Sequence, residues 1–184
     1  MIRQITLEEK KRWLKFATEI IQGGNQFNRF NQNQITQINR TYVGKLAEYV
    51  FLHFLNDNGI EYKEGDMFEI FEGQENADTH DFTISNNKSI DIKTASLPFH
   101  KRIMIPISQF HLSKDYYVGI KLNFKNTSGR NINPMDIDSC QICGYIERSV
   151  MENQPTQYFG EGNCKAYSLN NLKPINDLLK LFNQ

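Results

Sequence analysis

The stretch that most constrains this chain runs from His80 to Ala95, His-Asp-Phe-Thr-Ile-Ser-Asn-Asn-Lys-Ser-Ile-Asp-Ile-Lys-Thr-Ala. Phe82, Thr83 and Ile84 form one short run of strand formers, and Ile90, Ile92 and Thr94 belong to a second. Ser85 to Lys88 between them is turn chemistry, because Asn tolerates positive φ. The pattern predicts a β-hairpin. Asp91 and Lys93 are two apart on its second strand, so their side chains leave the same face, and Ile90 and Ile92 point the other way into a core. Asp81 enters the first strand and adds a third charge. Such a cluster is costly unless water, a metal ion or a substrate phosphate screens it.

The chain around this hairpin reads as helices packed on strands. Thr6 is an N-cap and Glu9 completes a capping box; Leu7, Trp13, Leu14, Phe16, Ala17, Ile20 and Ile21 make the apolar stripe of a helix ended by Gly23-Gly24. Lys10, Lys11 and Arg12 read as its solvated face. Residues 25–39 hold nine Asn or Gln, the composition of a polar connector or frayed helix. Asn and Gln also pair bidentately with adenine, which leaves DNA contact open for this segment. From Thr41 to Asn58, Val43, Leu46, Ala47, Val50, Phe51 and Phe54 predict a buried helix, with Glu48 beside the stripe and Gly44 one turn earlier leaving space over its carboxylate.

Strand material follows at 60–62 and 67–71, then a loop over 73–79 leads into the hairpin. Beyond a break at Ser96-Leu97-Pro98 come a basic cluster (His100, Lys101, Arg102), an extended stretch at 103–107, a short helix at 108–112 and a buried strand at 116–122. A long loop spans 126–139, a strand 141–146, a turn or two of helix 148–153, irregular or extended chain 158–169, and an amphipathic helix 171–182 with Pro174 in its first turn. The expected fold class is α/β (α+β): a central mixed β-sheet flanked by helices.

Composition narrows the function classes. Lys plus Arg and Asp plus Glu are 21 each, so bulk charge offers no support for a nucleic-acid partner and any basic surface must be local. No apolar run approaches the roughly 20 residues that a membrane span needs. Three cysteines and no secretory pattern make the cytoplasm the expected location. Cys140 and Cys143 have zinc-like spacing, with Cys164 and His111 as distant partners, but both also suit a strand as small apolar residues. No phosphate-binding glycine loop and no nucleophilic serine motif is present, and no organic cofactor is expected.

Gly44-Lys45-Leu46-Ala47-Glu48 on a helix, Asp81 at a strand start and Asp91-Ile92-Lys93 on the next strand together resemble the PD-(D/E)XK nuclease superfamily. The resemblance covers roughly Thr41 to Leu122. His80 stands where that motif usually has Pro, and Asp78 rivals Asp81 for its place. The resemblance implies a restriction-endonuclease-like core and one nuclease domain over 1–184. Its parts would be an N-terminal helix and polar connector (1–40), a catalytic core (41–122) and a C-terminal strand and helix extension (123–184).

It also implies a catalytic set of Glu48, Asp81, Asp91 and Lys93. Asp81, Asp91, the Ile92 backbone carbonyl and Glu48 would serve Mg²⁺, with Mn²⁺ able to substitute. Hard oxygen donors suit such an ion, and Lys93 suits the charge that builds on a phosphoryl group. The implied activity is endonucleolytic cleavage of DNA by a restriction-type enzyme. A homodimer is expected, since duplex cleavage needs two active sites. Arg29, Arg40, Lys45, Lys101, Arg102 and Gln109 are the candidate DNA contacts, with Gln109 and Lys114 also candidates to position phosphate or water. A structure-selective or homing-type nuclease, or a catalytically silent DNA-binding module, remain the alternatives.

Overall fold

Three residues at the start of the chain form a strand that sequence reading passes over. In a computed structural model, Ile2–Gln4 (β1) pairs antiparallel with residues 139–141, because a three-residue edge strand has no periodicity of its own and exists only through its distant partner. The structure describes residues 1–23, 33–64, 81–84, 87–110, 114–127, 133–160 and 162–182. The strand expected at 67–71, the loop at 73–79, and Arg29, Asp78, His80 and His111 lie outside the described residues.

The first helix, α1 (Leu7–Gln22), starts as its capping box requires. The Glu9 N–H donates to Thr6 Oγ1 at 3.2 Å, and Glu9 Oε2 accepts from the Thr6 N–H at 2.8 Å. Two assignments on it need correction. Leu7 is exposed, and Lys10 is buried, its ammonium donating to the Met135 carbonyl at 3.2 Å. A lysine stem covers apolar surface well when its head finds an oxygen.

The second helix, α2 (Gln34–Asp57), begins seven residues before the expected Thr41. Asn33 caps it, its side chain accepting from the Thr36 N–H at 2.8 Å, so the end of the Asn/Gln-rich run is helix rather than connector.

The strands are β2 (Tyr62–Glu64), β3 (Phe82–Ile84), β4 (Ser89–Ala95), β5 (Arg102–Pro106), β6 (Tyr116–Phe124), β7 (Ile137–Glu147), β8 (Thr156–Tyr158) and β9 (Asn163–Ser168). Two further helices among the described residues are α3 (Arg148–Glu152) and α4 (Ile175–Phe182). The strand expected at 141–146 is thus longer, starting at Ile137, and the stretch expected to be irregular or extended at 158–169 contains β9.

A six-stranded sheet has the order β1-β7-β6-β4-β3-β2, and a three-stranded sheet the order β5-β9-β8. Among the described residues only β4 and β6 pair in parallel; the other pairs are antiparallel, which makes the large sheet mixed. The fold is therefore α+β, with a curled mixed sheet flanked by helices.

The large sheet buries both faces, in different ways. On one side α1, α2 and α4 cover it, with Trp13, Phe51, Phe54, Phe82, Ile90, Ile92 and Leu178 in one core. On the other, the small sheet and α3 cover a second cluster that includes Ala95, Ile103, Ile105, Tyr117, Ile146 and Met151. Gly119 on β6 and Gly144 on β7, register partners, form a dent beneath that second layer. A Cβ on Gly119 would fall 2.5 Å from Leu172 Cδ1, and one on Gly144 would run into the Lys173 carbonyl oxygen. Gly144 also has φ +148°, a conformation that side chains disfavour. Segment 169–173 settles into the dent, tied by reciprocal backbone hydrogen bonds between Tyr145 and Lys173 at 3.0 and 2.9 Å.

Candidate active site

The hairpin forms as expected. Phe82 pairs with Ile90 and Thr83 with Ser89, and Asn87 turns the chain at φ 59° while its N–H donates to the Ile84 carbonyl at 2.8 Å. Alternation along β4 then divides its side chains. Ile90 and Ile92 enter the helix-covered core, while Asp91 and Lys93 face the second layer, level with Tyr117 and Gly119 of β6.

Asp91 is 5% exposed and held from two sides. Lys93 Nζ lies 2.6 Å from its Oδ2, and Lys114 Nζ donates to its Oδ1 at 2.9 Å. Burial works against its charge, but the two ammonium groups, Lys93 first, prevail and hold its carboxyl below the ordinary range. Lys114 is itself 4% exposed, so Asp91 and Lys114 form a buried ion pair that the half-buried Lys93 extends to a triad. Lys93 also donates to Gln109 Oε1 at 3.3 Å, from a short 3-10 turn at Ile107–Gln109 that follows β5 directly. Gln109 is thereby placed next to the lysine.

Asp81 is arranged in the opposite sense. Its Oδ2 accepts from the Ile92 N–H at 2.5 Å, which fixes it across β4 between the two charged residues of that strand. Burial, then Glu48, then Asp91 push its carboxyl well above the ordinary range, and the Ile92 N–H and Lys45 only partly oppose them. Glu48, brought up from α2, is therefore close enough for its charge to be felt at Asp81. The Lys45 ammonium pairs with Glu48 Oε2 at 2.7 Å, so this candidate DNA contact is engaged inside the site. Gly44 does lie over Glu48, but a Cβ there would sit 3.9 Å from Oε1, an ordinary contact. The space expected over the carboxylate is there, and it would admit a methyl group.

The four residues of the expected catalytic set are thus adjacent or electrostatically linked. Among the described residues, no three His, Cys, Asp or Glu side chains converge closely enough to hold a metal ion by themselves. Mg²⁺ does not need three, since it commonly takes one or two carboxylates and keeps waters or phosphate oxygens for the rest. Asp81, destabilised as an anion by two neighbouring anions, is where a hard cation relieves most repulsion. The carboxylate oxygens of Asp91 retain acceptor capacity beyond their lysines. The donor set fits such an ion.

Two arrangements about Asp91 depend on tertiary placement and are not legible in the sequence, although Lys114 is a candidate there and Tyr117 lies on the expected strand. Lys114 is separated from Asp91 by 23 residues, and only the parallel β4–β6 pairing unites them. The Tyr117 hydroxyl, level with Asp91, is buried with no hydrogen-bond partner among the described residues, and burial together with Asp91 pushes it up to about 12. Of the other candidate contacts, Arg40, Lys101 and Arg102 are exposed. Cys140 lies in the helix-covered core and Cys143 packs on the opposite layer, so the pair does not converge on one metal.

No helix among the described residues is long and apolar enough to cross a membrane. No protein-family profile, curated protein or solved structure matches this chain.

Proposed function

We propose that this protein is a Mg²⁺-dependent endodeoxyribonuclease of restriction type with a PD-(D/E)XK site, working as a homodimer on DNA. The observation that carries the reading is the joint placement of Asp81, Asp91 and Lys93 about the Ile92 peptide, with Glu48 within electrostatic reach. The order of α2, the β2-β3-β4 antiparallel strands and the parallel β6 is compatible with a restriction-endonuclease-like core.

Asp81 and Asp91 would hold the ion, with the Ile92 carbonyl and Glu48 as further oxygen donors; Mn²⁺ would serve in its place. When bound, such an ion supplies a water acidic enough to attack near neutral pH and charge to match the phosphate oxygens. Lys93 would orient the attacking water and place a positive charge against the phosphoryl group. Gln109 keeps the Lys93 ammonium oriented, and Lys114 keeps Asp91 ionised and fixed.

The test is plasmid cleavage with Mg²⁺ or EDTA, by the parent and by Lys93→Met. The parent should cut only with the metal. Lys93→Met should cut about 100- to 1000-fold more slowly, the scale on which a charge-stabilising group acts. Equal cutting by parent and variant would refute the assignment. Discrete fragments would mark a restriction or homing-type enzyme, and a preference for branched DNA a structure-selective one. DNA binding without cleavage would leave the silent module.

A further inference from the structure

Immediately beyond Ala95, β4 leads into a turn whose tip is Phe99, 67% exposed. An exposed aromatic alone is unremarkable. This one is held rigid from several directions. Lys121 Nζ donates to the Pro98 carbonyl at 2.8 Å and to the His100 carbonyl at 2.6 Å, gripping the chain on both sides of Phe99. The His100 N–H donates to the Leu97 carbonyl at 3.0 Å and closes the turn. The Leu169 N–H donates to the Lys101 carbonyl at 3.0 Å and fixes its exit. The His100 ring meets the Phe99 ring edge to face, with centroids 5.0 Å apart. Pro98 restricts the backbone on entry.

The place of this turn matters as much as its rigidity. Lys121 is the register partner of Ala95, as Gly119 is of Lys93, so the anchor lies two residues further along the same sheet face as the site lysine. Two residues of strand are about 7 Å, roughly two nucleotide steps of a stacked strand at 3.4 Å each. Lys101 and Arg102, both exposed, follow the aromatic tip directly. A fixed aromatic face beside two cations suits a nucleic-acid strand whose base is free to stack, because ring stacking binds the base and the cations bind its phosphates. A fully paired duplex keeps its base faces covered.

We infer that the turn at 97–102 is a stacking platform on which Phe99 receives an unpaired base of the DNA substrate, next to the site on β4. The substrate class is DNA carrying an unpaired or flipped base at the point of contact. The inference rests on the nuclease reading above. It accounts for a lysine spent on two backbone carbonyls, which otherwise would merely shape a surface turn.

The test is equilibrium binding with Ca²⁺ replacing Mg²⁺, using a duplex that carries one unpaired 2-aminopurine and the same duplex fully paired. The parent should bind the unpaired form more tightly and quench its 2-aminopurine. Phe99→Ala should lose about 5- to 150-fold in affinity for that form, the range for removal of one stacking ring, and leave the paired duplex unaffected. Phe99→Trp should retain both affinity and quenching. Lys101→Gln with Arg102→Gln should weaken both duplexes alike and lower the salt slope by about two.

Equal binding of the two duplexes by the parent, or an unchanged preference in Phe99→Ala, would overturn the platform. If Mg²⁺-dependent plasmid cleavage persists in that event, the nuclease reading stands without it. If the parent neither binds nor cuts any DNA, both fall.

Discussion

The two faces of β4 are built from alternate residues of one seven-residue strand, yet they are stabilised by different physics. Ile90 and Ile92 join a core assembled from three helices, where burial of apolar area supplies the energy and any well-fitting side chain serves. Asp91 and Lys93 face a thinner layer in which charges are buried with them. There, desolvation costs are offset by their own contact and by specific partners, Lys114 and Gln109. The apolar face holds the strand in place. The charged face uses that rigidity to hold together groups that have lost hydration and depend on one another for compensating charge. A site whose function depends on orientation gains from such an asymmetry.

The sharpest way to break the comparison is to remove the shared carboxylate. Asp91→Ala leaves Lys93 and the nearly inaccessible Lys114 without a counter-charge, and should lower unfolding free energy in urea by about 3–5 kcal/mol. Adding Lys114→Met should return part of that loss, since the orphaned ammonium is then gone. An additive double variant would show that the triad is not a unit.

On the opposite face, Ile90→Ala should cost about 2–5 kcal/mol through lost burial and a cavity. Adding Lys114→Met to it should give no recovery.

Asp81 gives the smallest effect and the opposite sign. Its carboxyl is held well above the ordinary 3.8, so the folded chain carries a penalty that is absent below that pH. The penalty grows as pH rises toward the folded value and stays constant beyond it. Asp81→Asn keeps an oxygen for the Ile92 N–H and should therefore raise stability at neutral pH, in EDTA, by about 1 kcal/mol. The same variant should lose the thermal stabilisation that Mg²⁺ confers on the parent, measured by melting with and without the ion. A melting temperature lowered in EDTA would contradict the repulsion assigned to Asp81.

What the sequence revealed follows the range of the interactions. The capping box of α1 and the β3–β4 hairpin each depend on neighbours within a few residues, and both were readable. So was β6, a buried run of strand formers. The start of α2 is not fixed by sequence because an Asn/Gln-rich segment suits a connector as well as a frayed helix, and the Asn33 cap decides between them. The burial of Lys10 has no local signal, because its acceptor, the Met135 carbonyl, lies 125 residues away. In the site, the same-face relation of Asp91 and Lys93 came from strand periodicity. Lys114 clamping Asp91, Lys45 engaging Glu48 and the twin carbonyls on Lys121 did not, because each depends on tertiary placement. Gly119 and Gly144 carried no pattern at all, though their missing Cβ atoms let segment 169–173 close the second layer.

The pairing of β1 with β7 has a kinetic consequence. Ile2 meets Gln141, 139 residues later in the chain. At synthesis rates of about 5–20 residues per second, the first strand waits roughly 7–28 s on the ribosome before its partner has even been made. During that interval the edge of β1 has nothing to pair with. The parallel partner of β4 is also still to come when the hairpin emerges, because β6 begins only at Tyr116. Refolding from denaturant should accordingly be limited by closure of long loops rather than by helix formation, as is usual for sheets dominated by distant pairs.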